Sequence, residues 1–366
     1  MKKIISLILG VLLLIPFVTS ISASAEESNL AYFELTDQLN EKFDEFGIEI
    51  NVENVNDLSF CDLICLIWNR LSNRISAPLS LLATILLLIF FSSILRSFSS
   101  SLVNGTNSNI YDLVCIVGAA AIVIPQIIDV YNDTLNNIEL CGCFIVEFVP
   151  VFTTVAMISG GLISSGCYHL LILSASEMIV QLSERYFIPF LGITTALALT
   201  ASAFPDSAID EIVRLLKKIS SCIIYFVITI YTGFVTLKCS IADKSDGISV
   251  KLTKSIMSSM IPIIGGAISE AYTTVKGSFE IIGGTFGLAG IIGIVLIMLP
   301  PIVEIFVYRG VLIVGAAAAE LYSSPSFAKL LKSIDSGLAI AQSVLICYSL
   351  MLIISSAILT QSIGHG

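Results

Sequence analysis

The sequence predicts an all-α fold, a polytopic transmembrane helical bundle, and three observations predict it. Hydrophobic residues make up 56% of the chain and charged residues 13%, with a mean hydropathy of +0.96, whereas soluble domains carry about 25% charged residues. Apolar runs long enough to cross a bilayer recur from residue 78 onward. Within the most polar of these stretches, glycines recur at helical spacing, as close helix packing requires.

The chain divides into three parts. Residues 1–25 read as a signal peptide: Lys2 and Lys3 start it, Ile4 to Val18 is apolar, and Ala23-Ser24-Ala25 is a cleavage pattern. The alternative is an uncleaved first span. Residues 26–77 read as a short exported acidic segment. From Glu26 to Arg74 eleven acids face only Lys42, Arg70 and Arg74, within a net charge of −10. Leu35, Leu39, Phe43 and Phe46 predict one amphipathic helix, and Leu58 to Leu71 a second. This is too little for an independent core, so the segment should pack on the membrane part or on a partner.

Residues 78–366 form the multi-span membrane domain. The predicted spans are Pro78–Leu95, Ile110–Val130, Phe144–Leu162, Ser165–Val180, Phe187–Ala203, Ile219–Leu237, Ile281–Leu299, Ile302–Ala319 and Leu338–Leu359. Met260–Glu280 is a tenth, or else a re-entrant or interfacial segment. Several are short or broken by proline, which only a protein-lined interior tolerates.

An internal duplication is expected, pairing about 150–218 with 262–332. Pro150 pairs with Pro262 and Pro189 with Pro301 at one offset. Arg214-Leu215-Leu216-Lys217-Lys218 resembles Lys329-Leu330-Leu331-Lys332-Ser333. Between Asp206 and Ile219, acids precede bases and Ile209, Ile212, Val213 and Leu216 share a face. This reads as an elbow helix along the membrane surface. If Met260–Glu280 spans, the repeats are parallel; otherwise they are inverted, as in many transporters. The parallel form is preferred.

Charges inside membrane stretches are the best functional pointers, because each costs at least about 2.5 kcal/mol at a bilayer centre. Glu147, Glu177, Glu270, Lys276, Glu280, Glu304 and Arg309 qualify. Glu270, Lys276, Glu280, Glu304 and Arg309 are the candidates for a polar path through the bundle or for locking helices together; Lys276 and Glu280 are at pairing distance on a helix. Gly265, Gly266, Gly277, Gly283 and Gly284 are the candidates for close helix packing.

Other chemistries find little support. No basic surface suits nucleic acid. Of two histidines, His169 reads as a satisfied bundle residue and His365 is near the end of the sequence. Cys61, Cys65, Cys141 and Cys143 would share the outer side and could join as disulfides or a four-sulfur metal site, but the C-x-x-C spacing is missing. Ser164 or Ser165 with His169 offers a weak hydrolase dyad without the G-x-S-x-G elbow. No P-loop or dinucleotide fingerprint occurs. No catalytic, metal or cofactor-binding residue is assigned, and no cofactor is expected.

The stretch Lys251–Gly290, with M-I-P-I-I-G-G, S-E-A, V-K-G-S and G-G-T-F-G in order, resembles the stage III sporulation protein AE family of endospore-forming bacteria. The order of signal peptide, exported segment and long polytopic region fits that resemblance. It implies a non-enzymatic, multi-pass subunit in the mother-cell membrane around the forespore, contributing with other membrane subunits to a trans-envelope channel likened to secretion systems. The implied partners are those subunits, in a hetero-oligomer, and the lipid bilayer. The rival reading is a secondary transporter of a small solute built on the internal repeat.

Overall fold

The computed structural model describes residues 33–48, 52, 55, 60–72, 74–102, 108–158, 162–203, 209–260, 265–322 and 324–365. The predicted signal peptide lies outside them. Helices dominate, and no strand occurs among the described residues. In order they are α1 (33–45), α2 (Phe60–Ser72), α3 (Ser76–Leu102), α4 (Ser108–Ile158), α5 (Leu162–Leu182), α6 (Ile188–Ala203), α7 (Ile209–Met260), α8 (Gly265–Leu321) and α9 (Pro325–His365). A π-helical turn, Ser183–Phe187, joins α5 to α6 without a break.

The bundle is all-α, as the sequence predicts, but the nine or ten separate spans are not. Among the described residues six helical stretches are long and apolar enough to cross a membrane: Ser76–Ile94, Ile116–Met157, Ser165–Ala203, Glu211–Lys238, Ile281–Leu321 and Pro325–Gln361. Ile110–Val130 and Phe144–Leu162, the latter as far as Ile158, merge in α4. Ser165–Val180 and Phe187–Ala203 merge through the π turn, and Ile281–Leu299 and Ile302–Ala319 merge in α8. The prolines expected to break them lie inside helices instead: Pro125 and Pro150 in α4, Pro300 and Pro301 in α8. Neighbouring side chains can re-satisfy the backbone groups a proline frees, which keeps the helix continuous. From Gly265 onward, Met260–Glu280 is the first part of α8 rather than a span of its own. The elbow expected at Asp206–Ile219 is, from Ile209, the start of α7. No breaker separates Lys218 from the apolar run that follows.

Directions follow from side-chain pairings. α4 and α8 are antiparallel, since Phe148 faces Gly290 and Phe144 faces Gly293. α8 and α9 form an antiparallel hairpin, with Arg309 against Asp335 and Gly287 against Thr360. α5 also opposes α9, through Tyr168 with Ser356 and Ser176 with Tyr348. Glycines allow the closest approaches: a Cβ at Gly290, Gly293, Gly315 or Gly337 would run into Phe148, Phe144, Ile85 or Tyr131.

The acidic segment docks on this bundle. Leu39 and Phe43 of α1 are buried in the common core. Phe43 and Phe46 lie 5.9 and 5.6 Å from the Phe144 ring of α4. The stack continues along α4 through Phe148 and Phe152 to Tyr168 of α5. α1 ends in a Schellman motif: Gly47 has φ +64°, and the Ile48 N–H donates to the Phe43 carbonyl at 2.7 Å.

Candidate functional site

The charges of α8 sit where two prolines interrupt its hydrogen-bond ladder. Pro300 has no N–H, so the carbonyl of Leu296, four residues earlier, loses its helical partner. In an apolar interior an orphaned carbonyl is costly. Arg70 of α2 supplies a donor: its Nη1 donates to the Leu296 carbonyl at 3.1 Å, while Nη2 donates to the Gly47 carbonyl at the end of α1. The next cation, Arg74, donates from Nη1 to Glu304 Oε2 at 2.9 Å. Glu304 is only 9% exposed, so this partner is what permits its charge.

Arg309 works one turn further along. Its Nε donates to Asp335 Oδ1 at 2.9 Å and its Nη1 to Gln342 Oε1 at 2.7 Å, both on α9. Gln342 Nε2 returns to the Ile302 carbonyl at 3.4 Å. Tyr308, between the two ion pairs, lies within electrostatic reach of Glu304, Asp133 and Asp129. Glu304 and Arg309 therefore reach in different directions, one to the chain entering α3 and one to α9.

Four further interhelical polar contacts join neutral hydroxyls. Tyr168 bonds Ser356 at 3.0 Å, Ser176 bonds Tyr348 at 2.6 Å, Tyr231 bonds Ser355 at 3.0 Å and Tyr131 bonds Thr195 at 3.4 Å. Hydroxyl pairs of this kind bridge apolar helices without bringing charge into the interior.

The other predicted residues are distributed as follows. Glu147 takes Lys42 Nζ of α1 at 3.4 Å. Glu177 accepts from Gln181 on its own helix at 2.7 Å. His169 Nδ1 lies 3.3 Å from Thr153 Oγ1, and the buried Ser165 hydroxyl has no partner among the described residues; among these, His169 and Ser165 do not form a dyad. Cys61, Cys65 and Cys143 are exposed and Cys141 is buried, each a free thiol. Among the described residues no cluster of His, Cys, Asp and Glu could hold a metal ion. The backbone of Glu270, Lys276, Glu280, Gly265 and Gly266 belongs to α8, and their side chains lie outside the described residues. Gly283 is buried; at Gly277 and Gly284 a Cβ would meet nothing within 4 Å.

Sequence reasoning missed Arg70, Arg74, Asp335 and Gln342. One signal was available: the Pro300-Pro301 pair must free carbonyls, and freed carbonyls in an apolar bundle call for a nearby donor.

The residues 44–362 match the family described as stage III sporulation protein AE. A curated relative bearing that name, from Bacillus subtilis (strain 168), is 22% identical over 248 residues, covering 66% of this chain and 62% of the relative. No solved structure matches. With the family match running from α1 nearly to the end of α9, the chain belongs to the stage III sporulation protein AE family.

Proposed function

We propose that this chain is a non-enzymatic, multi-pass membrane subunit of a sporulation assembly that links mother cell and forespore as a trans-envelope channel. Its place is the mother-cell membrane around the forespore, with residues 26–77 outside the cytoplasm and other membrane subunits as partners. The observation that carries the reading is how the interior charges are used. Glu304 and Arg309, the two described candidates for a polar path, are each committed to a partner on another element. They act as helix locks, and the core beside them is filled by packed side chains. Such a bundle is a rigid building block, and a conduit made from it needs further subunits.

The test uses an endospore former in which this chain is the sole family copy. Its deletion should arrest development after engulfment and silence a late forespore reporter. The full chain should co-purify with other membrane subunits, and vesicles holding it alone should show no saturable solute uptake. Normal spores after deletion, or uptake by the isolated chain, would overturn the proposal; the second result would favour a solute transporter.

A further inference from the structure

Ionisable side chains from several elements fall at one level of the bundle. Arg74 meets Glu304, and Arg309 meets Asp335. Tyr308, on the same stretch of α8, has Asp129 and Asp133 of α4 within electrostatic reach. The π turn, which carries Glu184 and Arg185, falls between Ser176 and Thr195, and these stand near Gly142 and Tyr131 of α4. Glu304 is sheltered, but Asp129, Asn132, Asp133 and Asn136 form an exposed stripe along α4. A carboxylate facing acyl chains costs at least about 2.5 kcal/mol. Water or headgroups must therefore reach this belt, which divides the bundle into two apolar halves.

The halves differ in what they expose. One holds α3, residues 116–128 of α4, α6, residues 310–319 of α8 and the start of α9, with Ile85 against Gly315 and Lys329 donating to the Ala201 carbonyl. Its outer side chains include Leu87, Phe90, Phe91, Ile193 and Ile313. Beyond the belt its charges stand at the far edge, where Lys332 pairs with Glu320 beside the α8–α9 turn. The apolar stretch of α3, Ser76–Ile94, has 19 residues, about 28 Å at 1.5 Å each, close to a hydrocarbon core of about 30 Å. The other half holds residues 140–157 of α4, α5 and the adjoining parts of α7, α8 and α9. It exposes Glu147 and Glu177. α1 lies against it, with Phe43 5.9 Å from Phe144, and turns Glu34, Asp37, Glu41 and Asp44 outward. A bilayer around this half would press all those carboxylates against acyl chains. Its one lipid-like flank is α7, which exposes Ile223, Phe226 and Ile230 and meets α9 through Tyr231 and Ser355.

We propose that the bilayer surrounds only the half built on α3 and α6, and that its hydrocarbon ends at the belt of Asp129 and Asp133. The half carrying α1 then stands outside the acyl chains. The test places the full chain in nanodiscs of phosphatidylcholine brominated midway along its acyl chains. Trp68→Phe removes the single tryptophan, and one new tryptophan is set at a time: Phe90→Trp, Asn132→Trp, Val146→Trp or Phe226→Trp. All four positions are exposed, so the larger ring leaves the packing as it is. Phe90→Trp should lose most of its emission to the brominated lipid, relative to unbrominated discs. Val146→Trp and Phe226→Trp should keep theirs. Asn132→Trp should yield instead to acrylamide in the buffer. The proposal is overturned if Phe90→Trp is not quenched by the lipid, if Val146→Trp or Phe226→Trp is quenched as deeply as Phe90→Trp, or if Asn132→Trp is shielded from acrylamide and quenched by bromine.

Discussion

Gly290 accepts the ring of Phe148 against the α8 backbone, and no side chain larger than hydrogen fits there. Gly290→Ala should therefore lower stability by about 1–3 kcal/mol through overpacking, read as the thermal midpoint in detergent. Adding Phe148→Leu should recover part of that loss. Gly277→Ala, where the space is open, should cost nothing and gain a few tenths of a kcal/mol from helix propensity, about 1 kcal/mol at most. A second test concerns Arg70. Arg70→Met keeps the length of the stem but strands the Leu296 carbonyl, and should destabilise by about 1–3 kcal/mol. The Lys42 amine on α1 behaves differently. Its hydrogen bond to Glu45, with a smaller contribution from Glu147, raises its pKa above the usual 10.5. A raised amine pKa stabilises the fold below its unfolded pKa and loses that effect only as pH climbs through the folded value. The difference in midpoint between the parent chain and Lys42→Met should thus stay constant from about pH 6 to 9.

Among the elements, the α8–α9 hairpin is fixed by the Arg309–Asp335 pair, whose side chains are 29% and 17% exposed. Arg309→Met with Asp335→Asn should cost less than the sum of the two single replacements, with a coupling of about 1–3 kcal/mol in a double-mutant cycle. The hydroxyl pairs between α9 and its neighbours should couple more weakly, about 0.6 kcal/mol for Tyr168→Phe with Ser356→Ala. Much of this scale was legible beforehand. The spacing of Leu39 and Phe43 foretold α1 and its buried face, and the apolar run after Ser76 foretold α3. What misled was proline. Its local chemistry says "break", and the donor that repairs the ladder stands 226 residues away, where no local pattern reveals it. Glu304 was legible as a charge needing shelter, yet its partner, 230 residues distant, left no trace beside it.

At the scale of the whole molecule, helix length and bilayer thickness disagree. α4 has 51 residues and α8 has 57, so they reach about 77 and 85 Å at 1.5 Å per residue. A hydrocarbon core is about 30 Å thick. Each helix therefore extends well past the acyl chains, and part of its apolar surface must be covered by protein. α1 and α2 cover some of it near Phe144 and Leu296. Deleting residues 33–72 should thus uncover that ring stack and lower the thermal midpoint by more than any single replacement above, with aggregation in mild detergent as the visible sign. Composition announced the membrane but could not announce this excess, because fused spans and separate ones have the same residue content. The clasp between Arg70 and Leu296 also bears on how the chain is made. Translation delivers α2 early and α8 late, so the guanidinium waits through most of synthesis for its acceptor. Closure of that clasp therefore reports that the first half of α8 has been made: a chain released before α8 has emerged lacks the acceptor altogether, and quality-control proteases would meet an undocked leading segment.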